Sequence, residues 1–279
     1  TTASCPMAAG PWKGSGNCWR KSSFKHSVEA ESSHWLWTIH CFIGQAEKSR
    51  RWMVARCRSL DGQNHSLCLG SELVVLTLQI QPPWGGEPLG LPINMRLQRK
   101  NGPTLIELAT QMIDEICQWF PQRPFRVIAD GFYATLAGKP LGAVTIISGI
   151  KRNANLYDLP PKRRKKPPGR PRTKGKELTK LERMAAHVQN WQTVTFRQRG
   201  TTAKRLVHIR VVLWYTVSCK PILLVIVRDP NGKEKDDFLF TTDVTMAPAE
   251  VLACHADRWA TEDTFKNTKQ LLAGQGPQT

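Results

Sequence analysis

The chain has 279 residues, 41% of them hydrophobic, with 40 Lys plus Arg against 22 Asp plus Glu and a formal net charge of +18. That length and apolar content support a globular core of one large or two medium domains, and the cationic excess points to a polyanion, nucleic acid first, because each neutralised phosphate releases counterions. Apolar runs such as Pro221 to Val227 fall well short of the roughly 20 residues that cross a bilayer, so no membrane partner is expected.

The first residues show neither a basic start followed by an apolar stretch nor an initiating Met, so no secretory signal is visible and the expectation is a cytoplasmic, N-terminally incomplete chain. Eight cysteines without a Cys-x-x-Cys pair set structural zinc and disulfide stapling aside. Five of those cysteines and five of the ten tryptophans fall in residues 1–70, a stretch without sustained periodicity that looks foreign to the rest.

From Ser71 the pattern changes. Glu72 to Gln81 and Pro88 to Leu97 read as two strands around Pro82-Pro83-Trp84-Gly85-Gly86. Pro103 and Thr104 open a helix in which Leu105, Ile106, Leu108, Ala109, Met112, Ile113 and Ile116 recur at helical spacing as far as about Trp119. Phe125 to Ala129 is a short buried strand delivering Asp130 and Gly131 at its end, and Ala143 to Ile150 is another strand. Strand, strand, helix, strand, turn and strand suit an α/β core.

Residues 162–176 hold nine Lys or Arg and no acid, and read as an extended, solvated arm. Beyond it Val194 to Arg199, Leu206 to Val217, Pro221 to Val227 and Phe238 to Thr241 read as strands, with Asp229-Pro230-Asn231-Gly232 as a turn. Pro248 then opens one final helix running towards Gly274.

At about 100° per residue, His255, Arg258, Glu262 and Lys269 of that helix share a stripe roughly 60° wide. Spacing alone also fits an ordinary solvated face, since Arg and Glu four apart are a common pair. Trp259 and Phe265 flank the stripe and suit a partly enclosed site. Asp130, at the carboxyl end of a strand, stands where α/β folds often place functional groups, although Asp-Gly is equally a turn pair.

Taken together, Arg126 to Tyr133 (RVIADGFY) and His255 to Gln270 resemble the DDE transposases of bacterial insertion sequences. That family carries a helix signature of Tyr, two residues, Arg, three residues, Glu, six residues and Lys, matched here at Arg258, Glu262 and Lys269, with His255 in place of the Tyr. The resemblance extends to Pro82–Gly86, Leu156–Pro161 and Asp237–Asp243, and spans roughly residues 70–278.

The resemblance implies a ribonuclease-H-like mixed sheet with flanking helices, interrupted by a β-rich insertion before the last catalytic helix. Residues 71–150 would be the first part of the core, 151–245 the basic arm and insertion, and 246–279 the catalytic helix. It implies Mg²⁺-dependent (or Mn²⁺-dependent) cleavage and strand transfer on double-stranded DNA, the transposon ends and target, by a homodimer on paired ends in the bacterial nucleoid. Three carboxylates would hold two divalent ions, which offset charge on the attacking and leaving oxygens. Asp130 and Glu262 map onto the second and third, and Arg258 and Lys269 would contact DNA phosphate.

The first carboxylate should stand on the opening strand, typically within an Asp-Asp-Thr sequence. Trp35 to Ile39 is the candidate strand, but it runs into His40-Cys41-Phe42-Ile43, and Asp61 is the only Asp in the first 70 residues. The family likeness begins abruptly near Glu72, which implies a frameshift replacing about His40 to Gly70. Relatives also continue beyond the point, soon after Lys269, where this chain stops. The expected outcome is a transposase copy that cannot cut, or a non-catalytic DNA-binding remnant. Within the arm, Lys162, Arg163, Arg164, Lys165, Lys166, Arg170 and Arg172 are the expected DNA contacts. Pro168 to Arg172 resembles the Gly-Arg-Pro centre of an AT-hook with Pro168 where an Arg usually stands, so minor-groove reading, plain phosphate contact and a solvated linker all stay open. The near absence of aromatics in the arm counts against RNA.

Overall fold

The computed structural model describes residues 37–47, 54–56, 67–99, 101–161 and 172–271. Within them the alternation of apolar residues builds strands β1 (Trp37–Glu47), β2 (Val54–Arg56), β3 (Leu67–Ile80) and β4 (Leu89–Leu97). β3 pairs antiparallel with β1 on one side and with β4 and β2 on the other.

Helix α1 (Leu105–Trp119) follows, and its start is set by Thr104. The Thr104 hydroxyl accepts from the Glu107 amide while the Glu107 carboxylate accepts from the Thr104 amide, a reciprocal capping box that contributes about 1 kcal/mol. The Thr104 amide, and then its hydroxyl, donate to the Glu107 carboxylate and hold it below its ordinary pKa.

β5 (Phe125–Ala129) then runs parallel to β1, and β6 (Val144–Gly149) parallel to β5, with a 3₁₀ segment, Gly131–Gly138, between them. An antiparallel trio, β4-β3-β1, continued by parallel β5 and β6, is the ribonuclease-H-like arrangement that the resemblance implies. The fold is mixed α/β.

After a short helix α2 (Leu181–His187), which the sequence reading does not anticipate, come β7 (Gln192–Gln198), β8 (Thr201–Leu213), β9 (Pro221–Arg228) and β10 (Asp237–Thr241). β10 pairs with β6, and β9, β8 and β7 follow outward, so the β-rich segment extends the core sheet edge to edge. Arg199 (φ 49) and Gly200 (φ 78) form the β7–β8 turn; both are left-handed, as a type I′ hairpin requires. The expected turn at Asp229 is present: the Gly232 amide donates to the Asp229 carbonyl, and the Asp229 carboxylate accepts from the Asn231 and Lys233 amides.

The sheet is buried on both faces. On one, Leu108, Ala109, Met112, Ile113 and Ile116 of α1 pack on Val74, Leu76, Val127, Ala129 and Ile146. On the other, Val251, Leu252 and Ala256 of helix α3 (Pro248–Asp257) pack on Ile128, Ile147, Leu223, Val225 and Leu239. The alternation Val127, Ile128, Ala129 sends successive side chains to opposite layers, as a pleated strand must.

The single final helix expected from Pro248 onward is two. Arg258 separates α3 from α4 (Trp259–Leu271). The Arg258 amide donates to the His255 carbonyl and the Thr261 amide to the Arg258 carbonyl, both over three residues. This tight turn re-phases the stripe assumed for a continuous helix. Among the described residues no helix is long and apolar enough to cross a membrane.

Candidate functional site

Asp130 leaves β5 with extended backbone (φ −68, ψ 158). Its carbonyl is held by the Tyr133 amide at 2.8 Å and the Ser148 hydroxyl at 3.1 Å, while its side chain is exposed. Since Ile128 faces the α3 layer and Ala129 the α1 layer, Asp130 falls on the α3 side by strand alternation.

α4 is seated on the early hairpin by polar contacts. The hydroxyls of Thr77 and Thr261 meet at 2.8 Å, both fully buried. The Thr264 hydroxyl donates to the Gly90 carbonyl at 2.7 Å, and Gln79 donates to the Asp257 carbonyl. A Cβ at Gly90 would lie 3.1 Å from the backbone of Ala260 and Thr261, so the absent side chain is what lets β4 and α4 approach this closely. Thr77, a polar residue within the apolar run LVVLTLQ, is the signal from which this seat could have been read.

Glu262 is engaged by Arg258 at 2.7 Å, with side chains 26% and 14% exposed. Arg258 also lies over the Trp259 ring at 5.4 Å, and its Nε is buried without a hydrogen-bond partner. Trp259 itself is 46% exposed, so the site is enclosed by the sheet and the α3–α4 turn more than by that ring. Burial and the Arg258 cation push the His255 pKa down to about 4 against the pull of Asp130, so His255 is neutral at pH 7. The structure thus groups Asp130, His255, Arg258 and Glu262 around the α3–α4 turn: Asp130 acts on His255, and Glu262 is tied to Arg258.

Lys269 falls in α4, but its side chain lies outside the described residues. So do Lys162, Arg163, Arg164, Lys165, Lys166 and Arg170 of the arm, whereas Arg172 is described and exposed. The feet of the arm are pinned. Asp158 and Lys176 bond through their backbones, Gly175 donates to the Asp158 carbonyl, and the Lys174 ammonium sits 4.1 Å from the Tyr157 ring centroid and 5.2 Å from that of Tyr215.

The register of β1 fixes what stands beside Asp130. Cys41 pairs with Ala129, so the next residue, Phe42, occupies the position next to Asp130. The strand's one acid is Glu47, five residues further and about 16 Å away at a rise of ~3.3 Å per residue. Two ions a few ångströms apart need closely converging oxygens. Among the described residues no three His, Cys, Asp or Glu come together to hold a metal, and Arg258 engages Glu262. Among the described residues the donor set does not fit a two-metal centre.

Residues 97–215 match the family model described as DDE superfamily endonuclease. That stretch is similar to the DDE superfamily endonucleases over less than half of the chain. The DDE match takes in α1, β5, Asp130, β6 and the strands as far as β8, and ends before Glu262. A cryo-EM structure of a piggyBac transposase synaptic complex with hairpin DNA is similar over 83% of this chain, at 9% identity and a TM-score of 0.39. The chain spans about 40% of the length of that transposase chain. No curated protein matches the chain.

Proposed function

We propose that this chain is a DDE transposase of an insertion element that engages double-stranded DNA but does not cut it as it stands. The observation that carries this reading is the pairing of Cys41 with Ala129, which puts Phe42 where a carboxylate would have to share an ion with Asp130. In an intact relative, Asp130 and Glu262 would be metal-binding carboxylates, Mg²⁺ or Mn²⁺ the ions, and Arg258 and Lys269 phosphate contacts. In this chain the Arg258–Glu262 pair neutralises the acid instead, and the basic arm from Lys162 to Lys176 supplies sequence-independent affinity. A frameshift across about 40–70 accounts for Phe42 and for the missing Asp-Asp-Thr-like strand end.

The test is binding and cleavage measured together. Salt-sensitive gel shifts on duplex DNA, weakened when the arm's Lys and Arg are neutralised, with a supercoiled plasmid left intact in Mg²⁺ or Mn²⁺, are the expected result. Metal-dependent nicking lost in Asp130→Ala and Glu262→Ala would overturn the inactive reading. Translating the coding sequence of residues 30–75 in the other forward frames decides the frameshift: an Asp-Asp-Thr-like strand end in one of them supports it, and none refutes it.

A further inference from the structure

Trp84 is 80% exposed, the most exposed large apolar side chain among the described residues. Exposure of a single indole is ordinary by itself; what sets Trp84 apart is the construction of the tip that presents its flat, amphipathic ring. The tip carrying it is rigidly built. Pro83 fixes the backbone before Trp84, and the Gly85 amide donates to the Pro82 carbonyl at 3.0 Å, closing a turn with Trp84 at its third position. Gly85 and Gly86 follow with φ of 81 and 96, and a Cβ on either would meet nothing. They are glycines for their conformation, and they leave the surroundings of the ring clear.

The tip is also braced from two sides. Gln81 donates to the Gly86 carbonyl at 3.0 Å, and Arg197 of β7 donates to the same carbonyl at 2.7 Å. Next to it, Arg199 pairs with Glu87 and with Asp263 of α4. The indole is therefore held out on a preorganised support whose Gly86 carbonyl takes the Arg197 guanidinium, a cation that also faces Asp257.

We propose that Trp84 is a stacking contact for an unpaired nucleobase of the DNA partner, with Arg197 placed for the adjoining phosphate. The inference rests on the DNA reading above and adds a recognition element to it. A single ring at the apex of a tight turn can be covered on its face by one flat partner. Inside a duplex each base is already stacked, so the free face belongs to a single-stranded, terminal or extruded base. The net charge of +18 favours a polyanion over a protein as the carrier of that ring.

The test compares the full chain with Trp84→Ala and Trp84→Phe on a single-stranded oligonucleotide and on the matching duplex. Trp84→Ala is expected to weaken single-strand binding about tenfold and leave duplex binding and thermal stability unchanged. Trp84→Phe, which keeps a flat ring, should retain most of the affinity, and the tryptophan emission lost in Trp84→Phe should be the part quenched on binding. Equal single-strand affinity of wild type and Trp84→Ala overturns the proposal while the duplex reading stands. So does a self-associating wild type whose Trp84→Ala variant turns monomeric in sedimentation with DNA affinity unchanged, which would make a second copy the occupant. Failure of the wild type to bind either DNA removes the DNA reading and this inference with it.

Discussion

Helices α1 and α4 lie on opposite faces of the same sheet and are held there by different means. α1 buries six apolar side chains from Leu105 to Ile116, an attachment that is strong and non-directional. α4 is seated by the Thr77–Thr261 hydroxyl pair, the Thr264 bond to Gly90 and the Arg199–Asp263 ion pair, each worth less but each fixing distance and rotation. The core-forming helix is secured by area; the helix carrying Glu262 is secured by geometry. A site that must hold particular groups at a set separation is better served by the second kind of attachment.

Four experiments probe that contrast. Ile113→Ala, deep in the α1 layer, should cost about 2–5 kcal/mol in denaturant unfolding through lost burial and the cavity left; a cost below 1 kcal/mol would mean that α1 is not the main anchor. Thr261→Val should cost about 1–3 kcal/mol by depriving the buried Thr77 hydroxyl of this partner, and adding Thr77→Val should cost less than the sum of the two single changes in a double-mutant cycle. Strict additivity would show that the pair does not seat α4.

Arg199→Ala should cost at most about 1 kcal/mol, because its partners are substantially solvated, and the loss should shrink at high salt. Amide exchange in residues 259–267 should nonetheless speed up. The fourth experiment concerns pH. The folded-state pKa of His255 is lowered to about 4 from an ordinary value near 6.5, so its contribution is present above pH 6.5 and lost as pH falls towards 4. Asp257, raised to about 6 by burial against the pull of Arg197, has the opposite sign and loses its contribution as pH rises to 6. Wild type should therefore lose more stability between pH 7 and pH 5 than His255→Gln does, as read from urea midpoints.

Much of this was legible before any coordinates. The α1 stripe, the Pro82–Gly86 turn and the strand ending at Asp130 follow from local periodicity and turn chemistry, and α1 ends at Trp119 as its spacing requires. Glu262 and Arg258 are also visible from spacing, and they do form the expected four-apart pair. What escaped depends on long-range contacts. Sequence alone does not tell that β10 docks on β6, or that β9, β8 and β7 then extend the sheet outward from it. The break at Arg258 escaped because neither proline nor glycine marks it. α2 is only seven residues long, too short for a period to show, and Thr77 reads as a blemish in an apolar strand until Thr261 is placed against it.

The bond between Thr264 and Gly90 joins residues 174 positions apart, and the β1–β5 pairing likewise bridges distant parts of the chain. Such closures are entropically expensive and are made late. For a chain emerging from the ribosome in order, the hairpin β3–β4 is complete long before α4 exists to cover its Thr77 face. That face waits, wet, through the synthesis of the arm and six further strands. Glu262 therefore reaches its place only after all of these strands are made, and a chain cut short before Trp259 would leave a nearly whole sheet with an open seam, prone to capturing other chains.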